Sequence, residues 1–462
     1  MPISVTVASR LRGLARSEAL LARALRGSAL TALGFAGGQA LRLAGNLVLT
    51  RLLFPEAFGL MALVTVFMVG LSMLSDVGLG PAIHQSPRGD EPRFLGTAWT
   101  IQAIRGAVLF AAACAIAPLA AAFYGVPELA GLLSVSGLTL LVAGLTPIRQ
   151  EVAVRHLRLG RLTAIDLAVQ TAGLAVTILL ALLFRSVWAL VVGNVVGALL
   201  RLALIGALLP GPRVRATLDA GCARDLIRFG KWVFLSTLCA FLVAQGDKAI
   251  LGRVLSLEEL GIYNIGFFLA AFPQMLGVTL ASRVLIPIYR ESFAQADRAA
   301  AMRRMRRMRA VLTLLLMLPL VPLAFFATPV VEFLYDPRYA AAAGVLCALA
   351  AINLVQVVGV TYDQAALAAG NSRGFFIVMA GRTLLQTAAF LAGFWAGGLP
   401  GALAAYGLSI LLVHAMIVGI ARHHRVWDPL HDALALAAVL PLAALALAEN
   451  RAALAALAGF GG

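Results

Sequence analysis

The sequence predicts an all-α polytopic membrane protein made of two six-helix bundles in parallel repeat, followed by one or two C-terminal apolar helices. Three observations carry this. The chain is 61% hydrophobic and 13% charged, with a mean hydropathy of +0.93, too apolar for a soluble domain whose surface must be covered by charge. Apolar runs of about 20 residues, the length a helix needs to cross hydrocarbon, recur along nearly the whole chain. Finally, "RLLFPEAFGL" from Arg51 and "RVLSLEELGI" from Arg253 share one pattern, pairing Arg51 with Arg253, Leu53 with Leu255, Glu56 with Glu258 and Gly59 with Gly261 at one offset of 202 residues.

The chain begins with a basic leader, 1–27, whose Leu11, Leu14, Leu21 and Leu25 share roughly one helical face among arginines, as a helix lying on anionic lipid would. No A-x-A cleavage pattern closes a short apolar region there, so no signal peptide is expected. Spans are then expected at 28–50, 55–79, 96–121, 127–147, 163–184 and 187–209, making an N-lobe of 28–209. A cytoplasmic linker, 210–229, leads to a C-lobe of 230–420 with spans at 230–252, 258–288, 310–334, 340–368, 374–396 and 399–420. In the tail, 421–462, the stretch 430–448 is long enough for a thirteenth span, whereas 452–462 is too short for a comfortable fourteenth.

The net charge of +16 has a topological explanation. Arginines crowd alternate connectors: the leader, Arg88 and Arg93, Arg155 to Arg161, Arg213 to Arg228, the "RRMRRMR" stretch from Arg303, Arg373, and Arg422 with Arg425. Among the first twelve spans the opposite connectors hold only Arg51, Arg185, Arg253 and Arg338, so the N-terminus is expected in the cytoplasm. Trp99, Trp188, Trp232 and Trp395 fall near span ends, where amphipathic rings gather. Nucleic-acid binding therefore needs no place, while the basic stretches favour anionic lipids. Cys114, Cys239 and Cys347 fall in apolar spans and Cys222 in a basic loop, without metal or disulfide spacing.

An even number of spans per half gives both halves one orientation, so two similar lobes are expected across a central cavity. The glutamates of the repeated phrase begin helices and its arginines end them, a placement that suits the helix dipole and marks duplication more than chemistry.

The segments "LTRLLFPEAFGLMALVTVFMVGLSMLSDVGLGPAIHQ" and "LGRVLSLEELGIYNIGFFLAAFPQMLGVTLASRVLIPIY" resemble the Wzx-type oligosaccharide flippases, including colanic-acid-type exporters. Those proteins belong to the multidrug, oligosaccharidyl-lipid and polysaccharide exporter superfamily. The resemblance covers roughly 30–420, and "DVGLGPAIHQ" is its most characteristic phrase. It implies a V-shaped alternating-access transporter fold. It also implies an undecaprenyl-diphosphate-linked oligosaccharide as substrate, carried from the cytoplasmic to the outer leaflet of the bacterial inner membrane, with polymerase or export machinery as possible partners. A monomer and no cofactor are expected.

Ionisable groups inside hydrocarbon are costly unless they line a cavity or pair, so they are the default functional candidates. Gln39, Arg42 and Asn46 share one face of span 1, and Gln102 and Arg105 form a similar pair in span 3. Guanidinium groups there suit a diphosphate through charge-assisted hydrogen bonds, or pair internally with a carboxylate such as Asp76. Gln245 and Lys248 share a face of span 7, where Lys248 either lines the cavity or snorkels outward. Asp247 either pairs with Arg253 or senses a coupling cation. Pro273 and Gln274 mark a candidate hinge in span 8. Asn353 and Gln356 of span 10 fit helix packing better than a cavity. Arg382 and Arg283 either attract the diphosphate at the inner entrance or anchor the spans.

Two rival functions remain. A cation-coupled multidrug antiporter favours deep acidic groups, but the deep charges here are mainly basic. A polymerase or ligase needs a large outer loop carrying catalytic groups, and no outer connector among the twelve spans exceeds about ten residues. His84, His156, His423, His424 and His431 lie in or near cytoplasmic connectors and His414 stands alone in span 12, so neither a metal site nor a nucleophile constellation is expected.

Overall fold

The computed structural model describes residues 34–75, 78–212, 214–294, 298–362, 365–369 and 371–461; within 225–236 and 276–301 only some side chains are described. The leader, Asp76 and Asp363 lie outside the described residues, and the side chains of Trp232 and Arg283 outside the described side chains. The described chain is helical, with nine helices among the described residues long and apolar enough to cross a membrane. The protein is a multi-pass membrane protein.

The helices in chain order are α1 (34–52), α2 (Pro55–Leu74), α3 (Leu79–Gln85), α4 (Pro92–Tyr124), α5 (Glu128–Leu145), α6 (Arg149–Arg155), α7 (Leu159–Phe184) and α8 (Trp188–Leu208). They continue with α9 (Ala220–Val254), α10 (Leu257–Ala294), α11 (Arg298–Phe325), α12 (Ala327–Leu334), α13 (Ala342–Val360), α14 (Ala365–Ala368), α15 (Ser372–His423), α16 (Pro429–Glu449) and α17 (Arg451–Ala455). Every expected span between 55 and 448 has a helical counterpart. The stretch after 450 makes only α17 and a 3-10 turn, Ala456–Gly459, too short to cross.

Contacts divide the chain into two compact units: residues up to Leu53 with Phe67–Phe234, and Phe54–Val66 with Leu235–Gly462. In the first unit α4 packs on α5 and α7 on α8, while Gln170 of α7 donates to the Gly38 carbonyl of α1 at 2.8 Å. The outward faces are apolar; Leu179, Leu182, Leu183 and Phe184 of α7 are exposed, as lipid-facing side chains are.

In the second unit α13 is the central helix, 94% buried along its span, with α10, α11, α15 and α16 packed around it. α15 covers two expected spans in one run, broken where Gly397 and Gly398 leave helical geometry. Gly398 takes φ 60°, a left-handed value that glycine adopts without strain. The second unit also contains the first turns of α2, and there the repeated phrase meets itself. Gly59 and Gly261 lie where α2 and α10 cross; a Cβ on Gly59 would strike the Leu257 carbonyl, and one on Gly261 the Pro55 carbonyl. Small residues permit this close backbone approach, the usual basis of helix association in lipid.

The phrase's other residues keep to the helix ends. Glu56 lies in the first turn of α2 and Arg253 in the last turn of α9. At α10 the adjacent Glu259 does more than Glu258: its Oε2 accepts from the Ser256 backbone N–H at 2.8 Å, while Ser256 Oγ accepts from the Glu259 N–H at 3.2 Å, a capping box. Its Oε1 also accepts from the Gly461 N–H at 3.1 Å, tying the tail to this corner.

Candidate functional site

In the first unit, α1 carries buried Gln39, half-buried Asn46 and exposed Arg42. On α4, Gln102 turns its amide nitrogen to the carbonyls of Ala143, Gly144 and Thr146 at 3.2, 3.1 and 2.9 Å, satisfying the open end of α5. Arg105, one turn on, donates from Nε to Ser75 Oγ at 3.0 Å and from Nη2 to the Ser72 carbonyl at 2.7 Å, bracing α4 against the end of α2. Both side chains thus hold helix ends in place, a role that residue spacing does not reveal.

Within the phrase "DVGLGPAIHQ", Leu79–Gln85 forms α3, entered through Gly78 at φ 64°, and packs on α6. Arg155 at the end of α6 donates from Nη1 to the carbonyls of Ile83, His84 and Ser86 at 2.5, 3.1 and 2.8 Å, closing α3. Its Nε reaches Asp90 Oδ2 at 3.1 Å, and His156 Nε2 lies 2.8 Å from Asp90 Oδ1. The His156 hydrogen bond, helped by Arg155, holds the Asp90 carboxyl below the usual carboxylate range.

In the second unit, Lys248 is only 4% exposed. Its ammonium lies 3.4 Å from the Phe267 ring centroid and 3.7 Å from Asp247 Oδ1, without a hydrogen-bond partner. The side chain is enclosed by protein. Asp247 Oδ2 accepts from the Tyr263 hydroxyl at 2.7 Å, a partner the sequence reading did not identify. Burying an ammonium in apolar surroundings is expensive, and a cation–π contact with one nearby carboxylate offsets only part of that cost.

Arg382 lies in the first half of α15 and donates from Nε to Gln386 Oε1 at 3.4 Å. Both line a pocket with Gln356 and His414. Asn353, one turn from Gln356, donates to the Ala270 carbonyl at 2.9 Å, in the turn before the buried Pro273. That bond supports α10 where proline weakens its ladder, and the helix runs on through Pro273 and the half-buried Gln274.

The histidines require a correction. His414 is not alone: it and His431 both reach the buried carboxylate of Asp432, and His431 is itself buried in the first turns of α16. The sequence separates these residues across α15 and α16, and only folding brings them together. No group of side chains able to hold a metal occurs among the described residues.

Comparison with known proteins places this geometry. The chain is 25% identical over 252 residues to the succinoglycan biosynthesis transport protein ExoT of Rhizobium meliloti, covering 54% of this chain and 50% of that one. It is 24% identical over 245 residues to the lipopolysaccharide biosynthesis protein WzxC of Escherichia coli, covering 52% and 49%. The chain spans about half the length of the curated relatives it matches. Among solved structures, its fold resembles the lipid II flippase MurJ in an inward closed conformation, with a TM-score of 0.66, 13% identity and coverage of 92% and 91%. It also resembles an inward-facing MATE family transporter of the MOP superfamily, with a TM-score of 0.64, 13% identity and coverage of 88% and 95%. The profile of one family matches residues 48–344, well over half of the chain, and by that match this protein belongs to the polysaccharide biosynthesis protein family.

Proposed function

We propose that this chain is a flippase that carries an undecaprenyl-diphosphate-linked oligosaccharide from the cytoplasmic to the outer leaflet of a bacterial inner membrane, for exopolysaccharide, capsule or O-antigen export. The observation that carries the reading is the family match over 48–344, in a chain whose helices hold cations at depth. Arg42, Lys248 and Arg382 supply donors for phosphate oxygens, with Gln39 and Asn46 beside Arg42 on α1; Arg105, with Gln102 one turn before it, and Arg283 add positive charge on α4 and α10. The work is binding and reorientation, with no covalent step.

In this reading the N-terminus is cytoplasmic, the chain acts as a monomer, and the exposed Arg303, Arg304 and Arg307 of α11 meet anionic headgroups. Sugar-polymerising or exporting machinery receives the product. Asp247 beside Lys248 offers a coupling-cation contact, and Pro273 with Gln274 a hinge.

The test is rescue of polysaccharide export in a flippase-deficient bacterium by the wild-type chain. Restored surface polysaccharide supports the reading. Failure in several glycan backgrounds despite good membrane levels, together with new drug resistance, would replace it with the cation-coupled multidrug antiporter.

A further inference from the structure

A buried carboxylate in the second unit has no arginine or lysine among its ion-pair partners in the described residues. Asp432 Oδ1 accepts from the Tyr362 hydroxyl at 2.7 Å and faces His431 Nδ1 at 3.2 Å. Its Oδ2 accepts from Trp427 Nε1 at 2.9 Å and faces His414 Nε2 at 3.4 Å. A carboxylate taken out of water needs a countercharge or a full set of hydrogen bonds. Here the groups able to supply that charge are imidazoles, which carry it only with an added proton.

Among the described residues the surrounding guanidinium groups make no ion pair with Asp432, although Arg309 is buried with Nε and Nη1 unpartnered. On α11, Arg306 binds Asp428 through two hydrogen bonds of 2.6 and 2.9 Å. Arg309 donates to Tyr289 of α10 at 2.9 Å and to the Val426 carbonyl at 2.6 Å, with its guanidinium 4.3 Å from the Tyr362 ring centroid. Arg422 of α15 stacks on Trp427 at 3.9 Å. Arg382, also on α15, lines the pocket that His414 borders. Asp363, next to Tyr362, lies outside the described residues.

The two histidines are placed differently. His431 is enclosed, with Nδ1 on Asp432 and Nε2 3.1 Å from the Thr313 hydroxyl. His414 turns Nε2 to Asp432 and borders the pocket lined by Gln356, Gly359, Arg382 and Gln386. Its Nδ1 lies on the Gly359 side, at ordinary contact distance, 3.5 Å from where a Cβ on that glycine would be. In the same pocket the buried Gln386 Nε2 has no hydrogen-bond partner.

The geometry points to a proton-binding pair, His414 with Asp432, loaded from this pocket. Solvent in the pocket gives a proton to His414 Nδ1, Nε2–H stays on Asp432, and an imidazolium–carboxylate pair forms with no heavy-atom bond changed. The pair gives the second unit a place to take up and return one proton. Its use as a coupling ion rests on the transport reading; the site itself does not.

The test uses the purified full chain in detergent, without any glycan, so its failure is separate from failure of the flippase reading. Thermal unfolding of wild type and His414→Gln is followed from pH 5.5 to 8.5. A proton held by Asp432 only in the folded chain stabilises it at the acid end. The gap between the two should therefore widen there by roughly 3 °C or more, remain in a His431→Gln background, and vanish in an Asp432→Asn background. A gap independent of pH, or one that persists without Asp432, overturns the proposal. Should Asp432→Asn fail to fold, the ring-carbon NMR signal of histidine-labelled wild type, assigned by its loss in His414→Gln, decides: a signal that does not move over that range overturns it.

Discussion

A carbonyl oxygen on the neighbouring helix fills the space where a side chain would begin at Gly59 and again at Gly261. Residue identity there is set by packing, so Gly261→Val should lower stability by about 1–3 kcal/mol through overpacking, measured as a fall in thermal midpoint at matched detergent. Gln102 presents a second case. Removing its amide leaves the carbonyls at the end of α5 without their donor, and Gln102→Ala should cost about 1–3 kcal/mol in the same assay. Asp90 gives a pH signature. Its folded carboxyl titrates below the usual range because of His156 and Arg155, so it contributes stability above the ordinary carboxylate range and loses it as pH falls through the lowered value. Wild type should exceed Asp90→Asn at neutral pH, and the difference should close below about pH 4. A shared helix face with a glutamine singled out Lys248 and Arg105, but their partners Phe267, Ser72 and Ser75 lie elsewhere in the chain, which no spacing rule predicts.

At the scale of elements, hydropathy is a good guide because a membrane helix must satisfy its backbone internally and must span a fixed thickness. The expected spans at 374–396 and 399–420 meet at the glycine break of α15, where two glycines before Leu399 and Pro400 signal the turn. The short elements were harder to read. α3, α6 and α12 lie within or beside apolar runs, and their ends are fixed by contacts such as Arg155 on the carbonyls closing α3. Arg155→Ala should therefore loosen the 78–90 segment, seen as faster amide exchange there while α7 and α8 keep their protection. The tail followed the same logic: Asn450 donates to the Ala324 and Phe325 carbonyls at 3.2 and 3.1 Å, closing the end of α11, and the described residues 451–461 form only short helical turns.

For the whole molecule, the even span count and the repeated phrase made the duplication legible before any coordinates. What they left unread was the use of the phrase, two glycines meeting at the crossing of α2 and α10, since an alignment of one half on the other does not say that the halves' matching helices touch. The histidine–aspartate cluster was hidden for a similar reason: it joins α15 to a helix beyond the repeat, where neither duplication nor family resemblance supplies a template. The central claim is that cations inside the membrane helices hold a diphosphate during transfer between leaflets. The most direct measurement is flipping by the purified chain in proteoliposomes, scored by the fraction of undecaprenyl-diphosphate-linked oligosaccharide that an external lectin can reach. Wild type should raise that fraction over empty liposomes, while Arg42→Ala and Lys248→Met, inserted at equal levels, should reduce the rate at least about tenfold, the loss of one charge-assisted contact of about 1.4 kcal/mol or more. Flipping by both variants at the wild-type rate would contradict the account.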